Sequence, residues 1–286
     1  MDGISEDRYD PYAAGPHRVR VREFEAHDPT RDRLFPCDAW FATDADGAQP
    51  LVVFSHSSSP IGRRQSTFLC AHLASHGYVA AAMDHSEIVT PQLMRKDGET
   101  VSERAARIQG WIDHRVADVR FLLDRMLGGA RVAGLPPLDA DRVGIVGHSF
   151  GGWTALATPE GDDRIRAVVA LAPAGSSRPP PNIIPATLTF EWRRDVPTLY
   201  LVAENDSALP LDGMRELFDR TRSAKRMEII AGADHGHFFD EFEWQPGQCS
   251  REEAHRLVRG LTLAHLDTTL RALPGAAKFW QERVRP

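Results

Sequence analysis

Gly147-His148-Ser149-Phe150-Gly151-Gly152 constrains the fold of this chain more than any other stretch. Arg142-Val143-Gly144-Ile145-Val146 ahead of it reads as a short apolar, β-branched strand, and Trp153-Thr154-Ala155-Leu156-Ala157 behind it as a helical start. A G-x-S-x-G pattern between strand and helix describes a sharp turn that lifts a serine hydroxyl clear of a sheet, where a base can reach it. Such a turn brings chain segments close to Ser149, and glycine at 147 and 151 avoids a Cβ clash there. N–H groups at the start of the helix favour negative charge developing beside the serine. The competing reading is a Gly-rich turn with an inert serine, and the partners of Ser149 decide between the two.

A serine nucleophile needs an acid and a histidine, in that order along the chain if the turn is a nucleophile elbow. Val196 to Ala203 reads as a buried strand, followed by the loop Glu204-Asn205-Asp206-Ser207-Ala208-Leu209-Pro210. Asp206 is the expected acid, its role being to hold an imidazole in one tautomer and stabilise the imidazolium. Glu204 competes, but it lies closer to the strand and suits local hydrogen bonding. Arg226 to Ile230 is the next strand, and two histidines follow in Ala231-Gly232-Ala233-Asp234-His235-Gly236-His237. His235, directly after the small-residue turn, is the expected base; His237 is then a pocket or supporting residue. Which ring projects toward the elbow is not encoded in the spacing.

The carbonyl oxygen that gains charge during acyl transfer needs N–H donors, each worth about 10²–10³ in rate. The N–H of Phe150 is the first candidate. The second comes from the loop after the apolar strand Leu51-Val52-Val53-Phe54, namely Ser55-His56-Ser57-Ser58-Ser59, with Ser58 as the expected donor. The alternative for this loop is a plain turn whose hydroxyls serve their own backbone.

These residues, with Leu73 to His85 and the segments Asp28 to Arg31 and Pro36 to Phe41, resemble the platelet-activating-factor acetylhydrolase and dienelactone hydrolase branch of the α/β-hydrolases. The likeness runs from about Tyr12 to the C-terminal helix. It implies a serine esterase without cofactor or metal, with Ser149 as nucleophile, His235 as base, and Ser58 and Phe150 as oxyanion donors. Three departures stand out. The family's H-G-x-G reads His56-Ser57-Ser58-Ser59 here, and Ala172-Pro173-Ala174 follows the strand after which acetylhydrolases place their acid. Dienelactone hydrolases carry a cysteine nucleophile, where this elbow has Ser149.

Along the chain, strands are predicted at 17–24, 34–41, 51–54, 78–83, 142–146, 165–171, 196–203 and 226–230. Helices are predicted at 64–75, about 102–127, after the elbow, at 211–222, and from Ser250 to about Leu273, with Ser250 as N-cap and Glu253 at the capping-box position. This alternation implies an α/β-hydrolase fold: a mostly parallel, twisted sheet of about eight strands flanked by helices, with short inserts and no large separate cap. Residues 1–286 then form a single domain, with 1–15 as a flexible N-terminal arm. Nucleophile, acid and base all fall at the carboxyl ends of strands, where open α/β sheets bind ligands.

Two inserts, His85 to Gly98 and Pro173 to Asp195, are placed to shape a pocket. Pro179-Pro180-Pro181 followed by Phe190-Glu191-Trp192 reads either as a partial lid or as a surface excursion with Trp192 packed on the core. Ser57, His85, Trp153, Trp192 and His237 are the candidate pocket residues. Each has a bland alternative, a buried helix tryptophan for Trp153 among them, and Trp111 and His114 on the long helix read as structural. Asp84-His85 mimics an acid–base pair, against the chain order. Arg63-Arg64 reads as an anion site or as a solvated pair.

A net charge of −6, with no basic cluster, argues against nucleic acid as a partner. No run is apolar and long enough to span a bilayer. Three cysteines, Cys37, Cys70 and Cys249, are too few and wrongly spaced for a metal knuckle or a disulfide framework, and Met1 to Arg8 has no apolar signal region. A cytoplasmic location is the expectation. The function expected is hydrolysis of a small-molecule carboxylic ester through an acyl-enzyme. The alternatives are an acyltransferase or perhydrolase using the same residues, and a binding protein with an inert site. The sequence leaves the oligomeric state open.

Overall fold

A computed structural model describes residues 9–129, 132–181, 183–243 and 245–283. In chain order the strands are β1 (Val19–Asp28), β2 (Arg33–Ala42), β3 (Gln49–Ser55), β4 (Val79–Met83), β5 (Leu138–His148), β6 (Ile165–Leu171), β7 (Thr198–Ala203) and β8 (Lys225–Ile230). The helices are α1 (Thr67–Ser75), α2 (Ser86–Val89), α3 (Val101–Leu127), α4 (Phe150–Gly161), α5 (Leu211–Arg220), α6 (Arg251–Thr269) and α7 (Pro274–Arg283). The strands form one eight-stranded sheet in the order β1-β2-β4-β3-β5-β6-β7-β8. β2 runs antiparallel to β1 and β4, and all pairings from β4 onward are parallel. This is the predicted α/β-hydrolase architecture, without a large cap among the described residues.

The central strands carry no alternation of polar and apolar residues because helices cover both faces. Every residue of β3, β4 and β7 is buried. The parallel strands all point their carboxyl ends to one edge, so Ser55, His148, Leu171, Ala203 and Ile230 deliver their following loops to the same side. The site grows from those loops.

Several boundaries differ from expectation for physical reasons. The predicted helix at 64–75 opens as a 3₁₀ turn at Gly62–Arg64, and Ser66, with φ −138° and ψ 53°, breaks it before α1 begins. The last helix stops at Thr269; Ala272 turns left-handed at φ 52°, and Pro274 starts the separate α7. Ser250 caps α6 as predicted, accepting from the Glu253 N–H at 3.2 Å, but only half of the capping box forms. The Glu253 carboxylate goes instead to Arg256, at 2.8 Å on both oxygens.

Residues 1–8 of the expected arm lie outside the described residues. In its remainder Tyr9 Oη donates to Asp267 Oδ2 at 2.9 Å, and the Gly15 N–H donates to Ser75 Oγ at 3.0 Å.

Candidate active site

Ser149 sits between the end of β5 and the start of α4 with φ 57° and ψ −115°. A left-handed backbone at a residue with a side chain costs about 1–3 kcal/mol and persists only when its surroundings enforce it. Here they do: the Ser149 N–H donates to Leu171 O at 2.9 Å, while Ser149 O accepts from Trp153 N at 3.1 Å and Ala174 N at 2.9 Å. A Cβ on Gly147 would lie 2.0 Å from Gly151 O, and one on Gly151 2.0 Å from Ser55 O. Gly152, which the pattern alone does not single out, is confined too, though less tightly: a Cβ there would lie 2.8 Å from Pro173 Cα.

Asp206 and His235 come together across 29 residues of chain, with Asp206 Oδ2 2.8 Å from His235 Nδ1. The second carboxylate oxygen accepts from Ala208 N at 3.0 Å and Leu209 N at 2.7 Å, so the acid is fixed by its own loop. An ionised carboxylate only accepts, which places a proton on Nδ1 and leaves Nε2 as the ring's acceptor. The Asp206 side chain is fully buried and that of His235 is 16% exposed. Asp234, adjacent to the histidine, ties the two loops together. Its carboxylate accepts from Ser207 N at 2.7 Å and His235 N at 2.6 Å. Burial works against the ionised form of Asp234, but those bonds outweigh it and hold the carboxyl below its ordinary range. Glu204 bonds across to the loop after β8, accepting from Gly232 N at 2.8 Å.

Ser58, Phe150 and Ser149 line one cleft of about 580 Å³. The loop carrying Ser58 is held from beneath by Arg115 of α3, a fully buried guanidinium that the sequence reading passed over. Arg115 donates to His56 O at 2.6 Å and to Ser57 O at 2.9 Å, pairs with Glu87, and lies 4.4 Å from the Phe150 ring centroid. With its carbonyls drawn inward, the loop is fixed from below and Ser58 stays at the wall of the cleft. His56 is part of the same support. Its Nδ1 lies 2.6 Å from Ser57 O and its Nε2 accepts from His85 N at 3.1 Å, and burial, then the charge of Arg115, holds its pKa well below the ordinary histidine value.

None of the five candidate pocket residues lines this cleft. Ser57 is turned inward, its N–H and hydroxyl both donating to Gln65 Oε1 at 2.9 and 2.6 Å. His85 is buried between Ser55 Oγ, at 2.9 Å, and Asp118, at 3.3 Å. Trp153 donates to Thr187 O at 2.8 Å and Trp192 to Leu156 O at 3.1 Å, so both indoles fasten the 173–195 insert onto α4. His237 is spent on backbone: Nδ1 accepts from Asp234 N at 2.9 Å and Nε2 stands 3.0 Å from Cys249 O. Nor do Asp84, Arg63 and Arg64 face the cleft. Arg63 bonds Asp84 at 2.5 Å and Arg64 bonds Asp38 at 2.7 Å.

The walls come from elsewhere. Ala174, Ile183 and Ile184 of the second insert form an apolar side. Arg95 and Lys96 of the first insert, with Arg104, Arg107, Ile108 and Trp111 of α3, form the other. Trp111 is flanked by Arg107 at 4.7 Å and Arg95 at 5.4 Å, and Arg107 is held by both Glu99 oxygens at 2.6 and 2.7 Å. Asp97 and Glu99 partly offset the cations. Among the described residues, no group of three His, Cys, Asp or Glu side chains converges as a metal site requires. No helix among them is long and apolar enough to cross a membrane.

A model of the dienelactone hydrolase family matches residues 38–264. Platelet-activating factor acetylhydrolase of Cavia porcellus is 25% identical over 231 residues, covering 67% of this chain and 48% of that protein. Chlorophyllase type 0 of Chenopodium album is 26% identical over 182 residues, covering 62% of this chain and 47% of that protein. The chain thus spans about half the length of these curated relatives. A ferulic acid esterase from Streptomyces cinnamoneus shares the fold, with a TM-score of 0.64 and 22% identity over 91% of both chains.

Proposed function

Because this chain belongs to the dienelactone hydrolase family, we propose that it is a carboxylic ester hydrolase working through Ser149, His235 and Asp206. The relatives named as acetylhydrolase, chlorophyllase and ferulic acid esterase support ester cleavage as the reaction. The observation that carries the residue roles is the 2.8 Å contact between Asp206 and His235 Nδ1, which leaves Nε2 as the basic nitrogen.

In this reading His235 Nε2 takes the Ser149 proton as Oγ attacks the ester carbonyl. The Phe150 and Ser58 N–H groups stabilise the tetrahedral oxyanion. His235 then protonates the leaving alcohol, and water repeats the sequence on the acyl-enzyme to release the acid and free Ser149. The substrate is a small molecule whose acyl or alcohol part fills a cleft of about 580 Å³ between an apolar and a cationic wall. The eight-stranded sheet supports reading 1–286 as one catalytic domain.

A p-nitrophenyl ester series of increasing acyl length tests this. Turnover with an optimum at one length, abolished in folded Ser149→Ala, is the expected result. Undiminished hydrolysis by that variant contradicts it.

A further inference from the structure

The oxyanion loop, the elbow and the base loop follow three different strands, and the chemistry requires them to be in register to a fraction of an ångström. One buried residue touches all three segments, two through its side chain and the third through its backbone carbonyl. Gln65, just beyond the 62–64 turn, is 1% exposed. Its Oε1 accepts from Ser57 N at 2.9 Å and Ser57 Oγ at 2.6 Å, next to Ser58. Its Nε2 lies 2.8 Å from His148 Nδ1, next to Ser149. Its backbone carbonyl accepts from Asp240 N at 2.8 Å, in the loop that carries His235.

The direction of the amide follows from its neighbours. The Ser57 N–H can only donate, so the carbonyl oxygen of Gln65 must face it and the NH₂ must face His148. An NH₂ can only donate, so His148 Nδ1 carries a lone pair and the ring proton sits on Nε2. The imidazole of His148 lies 4.6 Å from that of His235, centroid to centroid, and is boxed by Phe238 at 5.1 Å and Phe239 at 5.0 Å. Burial, then the neighbouring His235, keeps the pKa of His148 well below the ordinary value. An apolar residue of equal volume at 65 would fill the space but strand the Ser57 N–H and the His148 Nδ1.

We propose that Gln65 is a positioning residue for the reaction: it registers the Ser58 donor against Ser149 and holds His148 in the Nε2–H tautomer on which His235 rests. This rests on the assignment of Ser149 and His235 above. It concerns a residue that touches no reacting atom and acts only through Ser57 and His148.

The test compares full-length wild type, Gln65→Met and Gln65→Glu, using long-range ¹H–¹⁵N spectra of the imidazoles together with kcat and KM on a short p-nitrophenyl ester. Wild-type His148 is expected as the Nε2–H tautomer. Gln65→Met is expected to lower kcat at least ten-fold while KM changes less than two-fold. Gln65→Glu keeps an acceptor for Ser57 but faces His148 with a second acceptor. It is expected to switch that ring to Nδ1–H and to recover part of the kcat lost in Gln65→Met. If Gln65→Met does not fold, the tautomer switch and a kcat below wild type in Gln65→Glu carry the test. An Nδ1–H tautomer in the wild type, or folded variants with wild-type kcat, overturns the proposal. The imidazole spectra need no turnover, so a failure of the Ser149 assignment, seen as active Ser149→Ala, is distinguishable from a failure at Gln65.

Discussion

Asp206 Oδ2 and His235 Nδ1 stand 2.8 Å apart at the ends of two neighbouring parallel strands, with the Asp206 carboxylate wholly buried and the His235 ring 16% exposed. Burial on one side and partial exposure on the other suit an acid that orients and a base that meets substrate. Asp206→Asn preserves an acceptor for the Ala208 and Leu209 N–H groups, so the loop is expected to keep its shape while the imidazole loses its orienting charge. A fall in kcat of about 10³–10⁴ is expected, with KM within a few-fold. Steady-state kinetics check it, and a loss below ten-fold in folded protein argues for another acid.

The elbow makes a sharper steric prediction. Gly151→Ala places a methyl 2.0 Å from Ser55 O, which no rotamer relieves, whereas Gly161 at the far end of α4 has open space around the added carbon. Gly151→Ala is expected to lose nearly all activity and to lower the melting temperature; Gly161→Ala is expected to leave both within error. Thermal melts and turnover of the two variants side by side provide the comparison.

Arg115 is fully buried, and its partners are fixed: two carbonyls, Glu87 and the face of Phe150. Removing one member of a buried charged set leaves the other uncompensated, at a cost of about 3–5 kcal/mol. Arg115→Met is therefore expected to destabilise by that order in urea unfolding and to lower kcat through the oxyanion loop. Destabilisation below about 1 kcal/mol would show that water replaces the guanidinium at little cost.

Burial pushes His72 and His265 down to about 4, from about 6.5 in an unfolded chain. Both rings are neutral when folded, so as the pH falls the unfolded chain binds protons first. Their contribution to stability is whole above pH 6.5 and is lost between about pH 6.5 and 4, at about 1.4 kcal/mol per pH unit for each ring in mid-window. Urea unfolding at pH 7 and pH 5 is expected to show this loss, with His265→Gln flattening the slope. An unchanged slope in that variant removes His265 from the account.

How far the residues themselves announced this architecture varies with range. The elbow and the strand–helix alternation are local patterns of glycine and β-branched residues, readable without a fold. That Asp206 and His235 would meet was legible because strand ends collect on one edge of a parallel sheet. Arg115 and Gln65 were not, since their partners lie as far away as Asp240 is from Gln65, 175 residues along the chain, and neither belongs to a motif. The pocket residues were misjudged for a related reason: side-chain type says nothing about direction. Trp153 and His237 suit a ligand as well as a backbone carbonyl, and both turned to the backbone. α7 was missed because Pro274 reads equally as the stop of one helix and the first residue of the next.

The most direct measurement is covalent labelling by a fluorophosphonate, with the adduct mapped by peptide mass spectrometry in wild type, Ser149→Ala and His235→Ala. One phosphonyl adduct is expected, on Ser149, formed rapidly in wild type, absent in Ser149→Ala and slowed by orders of magnitude in His235→Ala. Folded wild-type protein that is not labelled, or is labelled equally well without Ser149, contradicts it.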